Sequence, residues 1–110
     1  MAKTYYCAMK TCLEMLASDS QKDVLITHAL RIDSTTEQVV VAARTLARNL
    51  RDFANDITSG CHASIPTHYN TMHDVGELYT RLKSEIDTLS AMLFLVGGQP
   101  LVETFSKACV

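Results

Sequence analysis

Apolar residues recur at alternating steps of four and three through the middle of the chain. The recurring positions are Val39, Ala43, Leu46, Leu50, Phe53 and Ile57. An α-helix turns by about 100° per residue, so this spacing places all of these side chains on one narrow face. The pattern predicts an amphipathic helix over about 35–59. A capping box of Ser34 and Glu37 would begin this helix, and Gly60 would end it.

A second run with the same spacing follows. Its members are Val75, Leu78, Leu82, Ile86, Leu89, Leu93 and Val96. This run predicts a helix over about 71–96 that ends at Gly97 or Gly98, before Pro100. Because each helix carries one continuous apolar stripe, we expect the two to pack antiparallel across a loop of roughly ten residues.

The chain ends carry weaker patterns. Four apolar residues mark a first helix, namely Tyr5, Met9, Cys12 and Leu16. The polar stretch 18–23 offers Ser18 or Ser20 as a new cap and favours a break, followed by a second short helix to Asp33. One uninterrupted helix is the alternative, because this stretch contains neither Gly nor Pro. Residues 101–110 predict a short C-terminal helix.

No stretch alternates apolar and polar residues in the manner of a strand, and no internal repeat occurs. The predicted class is therefore all-α. A chain of 110 residues fits one domain with a modest core, so we expect residues 1–110 to form a single small helical bundle.

Composition adds a surplus of apolar residues to this picture. Hydrophobic residues make up 47% of the chain and charged residues only 20%. The segment 91–96 is apolar on nearly all sides, so something must cover Phe94 and Leu95. Either the C-terminal helix folds back over them or a partner chain does. The candidate interaction patch consists of Met92, Phe94, Leu95, Leu101, Val102 and Phe105.

Net charge argues against some classes of partner. With 10 Lys plus Arg against 12 Asp plus Glu, the formal charge is -2, which favours neither nucleic acid nor an anionic membrane. A helix-turn-helix DNA reader is disfavoured too, because the segment 21–32 holds little positive charge. The arginines Arg44, Arg48 and Arg51 could form a basic face for an acidic partner, although a solvated helix face is the commoner origin of such a pattern.

The amino-terminal segment contains no long apolar block, so neither a signal peptide nor a membrane anchor is expected. A cytoplasmic location follows as an expectation. The chain has 4 cysteines, and in that compartment we expect them to be reduced.

One stretch combines residue types that bind metals. Its candidate ligands are Cys61, His62, His68, His73 and Asp74. The separation of His68 and His73 is compatible with a zinc site, but the usual pair of nearby cysteines is missing. Cys61 beside His62 is also a poor nucleophile and base, because neighbours in sequence rarely align for that role.

These observations favour a small non-catalytic module for protein–protein interaction, a regulator, adaptor or inhibitor that forms a homo-oligomer, most simply a homodimer, and needs no cofactor. The alternative hypothesis is a metal-binding or metal-sensing bundle that uses the segment 62–74.

Overall fold

The computed structural model describes residues 4–60 and 65–110, with side chains for 4–60 and 70–110. It contains α1 (Tyr5–Cys12), a 3-10 turn (Leu13–Met15), α2 (Asp19–Ser59) and α3 (Ile65–Ala108). No strand occurs in the described residues. The long helices α2 and α3 pack against each other, which confirms the predicted all-α helix pair with a shorter N-terminal helix.

The break after the first helix is confirmed. Thr4 caps α1 by accepting a hydrogen bond from the Cys7 amide at 3.2 Å. The chain becomes extended at Leu16, and the Ser18 hydroxyl then accepts from the Gln21 amide at 3.4 Å in the first turn of α2. Ser18 therefore acts as the cap that the sequence offered.

The predicted helix boundary at Ser34 is wrong, because α2 runs without interruption from Asp19 to Ser59. Asp33, which was expected to end a helix, instead caps α1: its two carboxylate oxygens accept from the backbone amides of Tyr5 and Tyr6 at 2.8 and 3.0 Å. Extending an existing helix is easier than nucleating a new one, and no Gly or Pro interrupts the run.

Helix α3 begins at Ile65, before the predicted start near residue 71, so residues 60–64 separate the two long helices. Gly60 has a φ of 82° and follows the last residue of α2, as predicted. Gly98 leaves the helical conformation with a φ of 67° and kinks α3 before Pro100. The predicted break and short C-terminal helix are thus both present.

The chain divides into two compact units, unit 1 (Met1–Ser34 and Leu82–Val110) and unit 2 (Thr35–Arg81). Helices α2 and α3 each contribute to both units. Within the described residues, the buried hydrophobic core belongs to unit 1, and its members are Ala8, Met9, Cys12, Leu16, Leu25, Ala29, Ile32, Leu89, Leu93, Leu101 and Phe105.

Three helices enclose the core of unit 1. Tyr5 of α1 meets Phe105 of α3 edge to face, with ring centroids 5.3 Å apart. The kink at Gly98 turns the C-terminal part of α3 so that Leu101 enters this core. Gly97 permits the close approach, since a Cβ there would lie 2.6 Å from the Leu101 Cβ. Along the predicted apolar stripe of α3, Leu89 and Leu93 are buried and the other members are half-buried.

Unit 2 is a helical hairpin in which Thr35 is the one buried residue among those described. The Asn49 side-chain amide donates to the Thr71 hydroxyl at 2.8 Å and joins the two helices. Val39, Leu46 and Phe53 are half-buried, as the stripe predicted.

The other half of the predicted α2 stripe is exposed. Ala43, Leu50 and Ile57 face solvent, whereas Ala42 and Asn49 are half-buried in their place. The hydrogen bond from Asn49 to Thr71 accompanies this rotation of α2, because it requires Asn49 to face α3.

Candidate functional site

An exposed apolar stripe runs along α2 in unit 2. The members of this α2 stripe are Val40, Ala43, Ala47, Leu50, Ala54 and Ile57, and all are exposed. Their spacing of three and four residues keeps them on one face of the helix. The exposed fractions of Leu50 and Ile57 are 43% and 50%. Unit 2 thus presents a continuous apolar line on its surface.

Two residues of α3 extend this surface. Asn49 faces Thr71 across the hairpin, and the two helices run in opposite directions. The next residue on each helix is turned by about 100° from the one that faces its partner. Because the two right-handed helices run in opposite directions, these turns bring Leu50 and Met72 to the same side of the hairpin. Tyr79 follows Met72 by two helical turns and is 62% exposed. We call the α2 stripe with Met72 and Tyr79 the apolar face.

The opposite side of the hairpin carries charged side chains. A shallow cleft of about 460 Å³ lies there, lined by Ala42, Asp74, Glu77, Leu78 and Arg81. The Nε2 atom of His73 lies 3.1 Å from a carboxylate oxygen of Glu77, and both side chains are exposed. The hairpin therefore separates an apolar side from a charged side.

Two of the three predicted basic residues, Arg44 and Arg51, border the apolar face. Arg44 and Arg51 follow Val40 and Ala47 by four residues, so each lies beside the stripe on the helix surface. Arg48 lies one position further round the helix from Arg44 and Arg51 and faces away from the stripe. All three are exposed, and within the part of the chain that the structure describes none forms an ion pair with a carboxylate. We call Arg44 and Arg51 the basic edge.

The predicted interaction patch does not form one exposed surface. Leu101 and Phe105 are buried in the core of unit 1, and Met92 and Val102 are partly buried against it. Phe94 and Leu95 remain exposed, Leu95 by 83%. The C-terminal helix therefore folds back inside unit 1 but leaves these two side chains uncovered.

The metal hypothesis stays a prediction. Cys61 and His62 lie outside the described residues, and so does the side chain of His68. His73 contacts Glu77, and Asp74 lines the polar cleft. Among the residues that are described, no three His, Cys, Asp or Glu side chains group in a way that could hold a metal ion.

The described cysteines are free thiols in different surroundings. Cys7 is exposed, whereas Cys12 is fully buried in the core of unit 1. Burial raises the pKa of the Cys12 thiol, and the nearby Cys109 raises it further. Burial, followed by the charge of Asp33, raises the pKa of Cys109 as well. Both thiols thus stay protonated at neutral pH, where a thiol is a weak nucleophile.

Comparison with known proteins assigns no function to this chain, so its function has to be inferred from its exposed surface. No family model matches this chain, and neither a curated protein nor a solved structure does. Over residues 4–60 and 65–110, neither long helix contains a stretch that is apolar enough to cross a membrane. The apolar face with its basic edge is the surface feature that most needs a chemical explanation.

Proposed function

We propose that this protein is a non-catalytic module for protein–protein interaction, and that it binds its partner through the apolar face of unit 2. The observation that carries the proposal is the exposed α2 stripe. Scattered apolar side chains are ordinary on protein surfaces, but a continuous patch of them marks a binding site. Here the patch extends from Val40 to Ile57 and is widened by Met72 and Tyr79.

The packing of unit 2 supports the same interpretation. Two helices in contact cover only one stripe of each other, and helical folds normally bury the remaining apolar surface under further helices. Full burial of a Val, Leu or Ile side chain contributes about 1.5–3 kcal/mol, so covering the exposed half of each contributes about 1 kcal/mol. A helix that lies over the stripe would cover Val40, Leu50 and Ile57, and each of the three would add this contribution to the free energy of binding.

The test compares one aspartate on each unit. Leu50→Asp places a charge in the apolar face, and Leu95→Asp places the same charge on an exposed residue of unit 1. Both variants should fold, which circular dichroism checks. Quantitative mass spectrometry of proteins retained from lysate of the source cells should show partners lost with Leu50→Asp and kept with Leu95→Asp.

The reverse result would assign binding to Phe94 and Leu95 instead. Phe94→Asp then provides the confirming variant, because Phe94 is the exposed neighbour of Leu95. If all three variants retain the wild-type set of partners, neither surface binds a protein and the proposal fails.

A further inference from the structure

We infer that the partner of the apolar face is an amphipathic helix of another protein, with acidic residues beside its apolar stripe. This inference rests on the proposed function and names the chemistry of the partner. Its basis is charge complementarity between such a helix and the basic edge formed by Arg44 and Arg51.

The α2 stripe has the spacing of a helix that packs along another helix. Val40, Ala47 and Ala54 lie seven residues apart, and Ala43, Leu50 and Ile57 repeat in the same way. These are the a and d positions of a heptad, which place a second helix lengthwise over the stripe. The stripe spans residues 40–57, or about 26 Å at 1.5 Å per residue, so the partner helix needs about five turns.

The basic edge then decides which helix fits. With the stripe at positions a and d, Arg44 and Arg51 both occupy position e. Side chains at e face the flanking charges of the packed helix and select its sign. Because these guanidinium groups are exposed and form no ion pair within the described residues, they are free to meet Asp or Glu of a partner.

A second copy of the chain supplies this charge poorly. Antiparallel packing of α2 on α2 of another copy brings the two basic edges together. Packing α2 on α3 of another copy brings the arginines to the edge that carries His73, Gly76 and Thr80. The carboxylate described on that edge is Glu77, which already contacts His73. An acidic helix from a different protein therefore matches the surface better than self-association does.

The experiment uses the full chain and two designed peptides. Each peptide is a labelled helix of about six turns with Leu at a and d, and carries either Glu or Lys at e and g. Like charges at these positions keep each peptide from pairing with itself. Fluorescence anisotropy should show the wild-type protein binding the Glu peptide at least about tenfold more tightly than the Lys peptide, with the difference reduced by salt.

Variants make the assignment specific. Reversing the edge with Arg44→Glu and Arg51→Glu together should invert the preference between the two peptides. Leu50→Asp should abolish binding of both, and Leu95→Asp should change neither. All substituted side chains are exposed, so circular dichroism of these variants should match the wild type.

Four results would overturn the inference. Two concern the peptides: equal affinity for both, or no binding of either. The other two are a stable dimer in light scattering that Leu50→Asp converts to a monomer, and tighter binding to phosphatidylglycerol vesicles than to the Glu peptide. Failure of the inference can be told apart from failure of the proposed function. If Leu50→Asp still removes cellular partners while the peptides bind equally, the docking surface stands and only its charge preference is wrong.

Discussion

Unit 1 and unit 2 are built from the same two long helices, yet only unit 1 has a buried core in the described residues. Unit 1 adds α1 and the folded-back end of α3 to the helix pair. Ala8, Met9 and Leu101 bring their side chains from these added segments, and each is fully buried. As far as its residues are described, unit 2 has the helix pair without such additions. The comparison shows that two amphipathic helices need a third segment before their apolar residues leave water.

Because their apolar residues differ in burial, the two units should respond differently to substitution. In unit 1 the apolar surface is already used within the chain, so substitutions there should affect folding. In unit 2 the α2 stripe is exposed, so substitutions there should affect binding and leave folding nearly intact.

The largest expected effect comes from truncating the core of unit 1. Leu93→Ala should lower the free energy of unfolding by about 2–5 kcal/mol, because Leu93 is fully buried and its removal leaves a cavity. Leu46→Ala in unit 2 should cost clearly less, since Leu46 is only half-buried. Urea denaturation followed by circular dichroism measures both. Equal losses would show that the two units are packed alike.

A smaller effect should follow from removing the cap on α1. Asp33→Ala should lower the free energy of unfolding by about 1–2 kcal/mol, because the Tyr5 and Tyr6 amides lose their acceptor. Asp52→Ala is the matched control, an exposed carboxylate on the unit 2 part of α2, and should change stability by less than about 0.5 kcal/mol. A loss of the same size in the control would contradict the capping role.

The smallest effect should be a decrease in the free energy of unfolding at alkaline pH, caused by buried groups of unit 1. Folding raises the pKa of Cys12 and Cys109 above the ordinary 9.0, and that of Tyr5 above 10.0, with burial as the main cause. The unfolded chain therefore releases these protons first as pH rises. The stabilisation is fully present below pH 9.0 and is lost as pH rises through the folded-state values.

Urea denaturation at neutral and at alkaline pH should show this loss, and Cys109→Ala should make the pH profile flatter. A free energy of unfolding that increases from neutral to alkaline pH would contradict the argument, because it would require the folded state to release protons more readily than the unfolded chain.

Much of the fold could be predicted because local signals were strong. The stripe from Val75 to Val96, the cap at Ser18 and the left-handed turns at Gly60 and Gly98 all appear in the structure. The boundary at Ser34 could not be placed correctly, since a capping box competes with an uninterrupted helix, and extending an existing helix is easier than nucleating a new one.

Only part of the apolar face could be predicted from the sequence. The stripe predicted for α2 and the exposed stripe share Ala43, Leu50 and Ile57, and periodicity cannot say which side of such a wide apolar band meets α3. Likewise, a surplus of apolar residues near Phe94 does not reveal that Leu101 and Phe105 enter the core.

The sequence by itself determined the helices, most of their ends and the presence of more apolar residues than one helix pair can cover. The tertiary structure decided which of those residues are buried. Burial of apolar area has no direction, so it cannot choose between neighbouring faces of a helix. Directional contacts do distinguish between neighbouring faces, and the fold contains one in each unit: the hydrogen bond from Asn49 to Thr71 in unit 2 and the capping of α1 by Asp33 in unit 1.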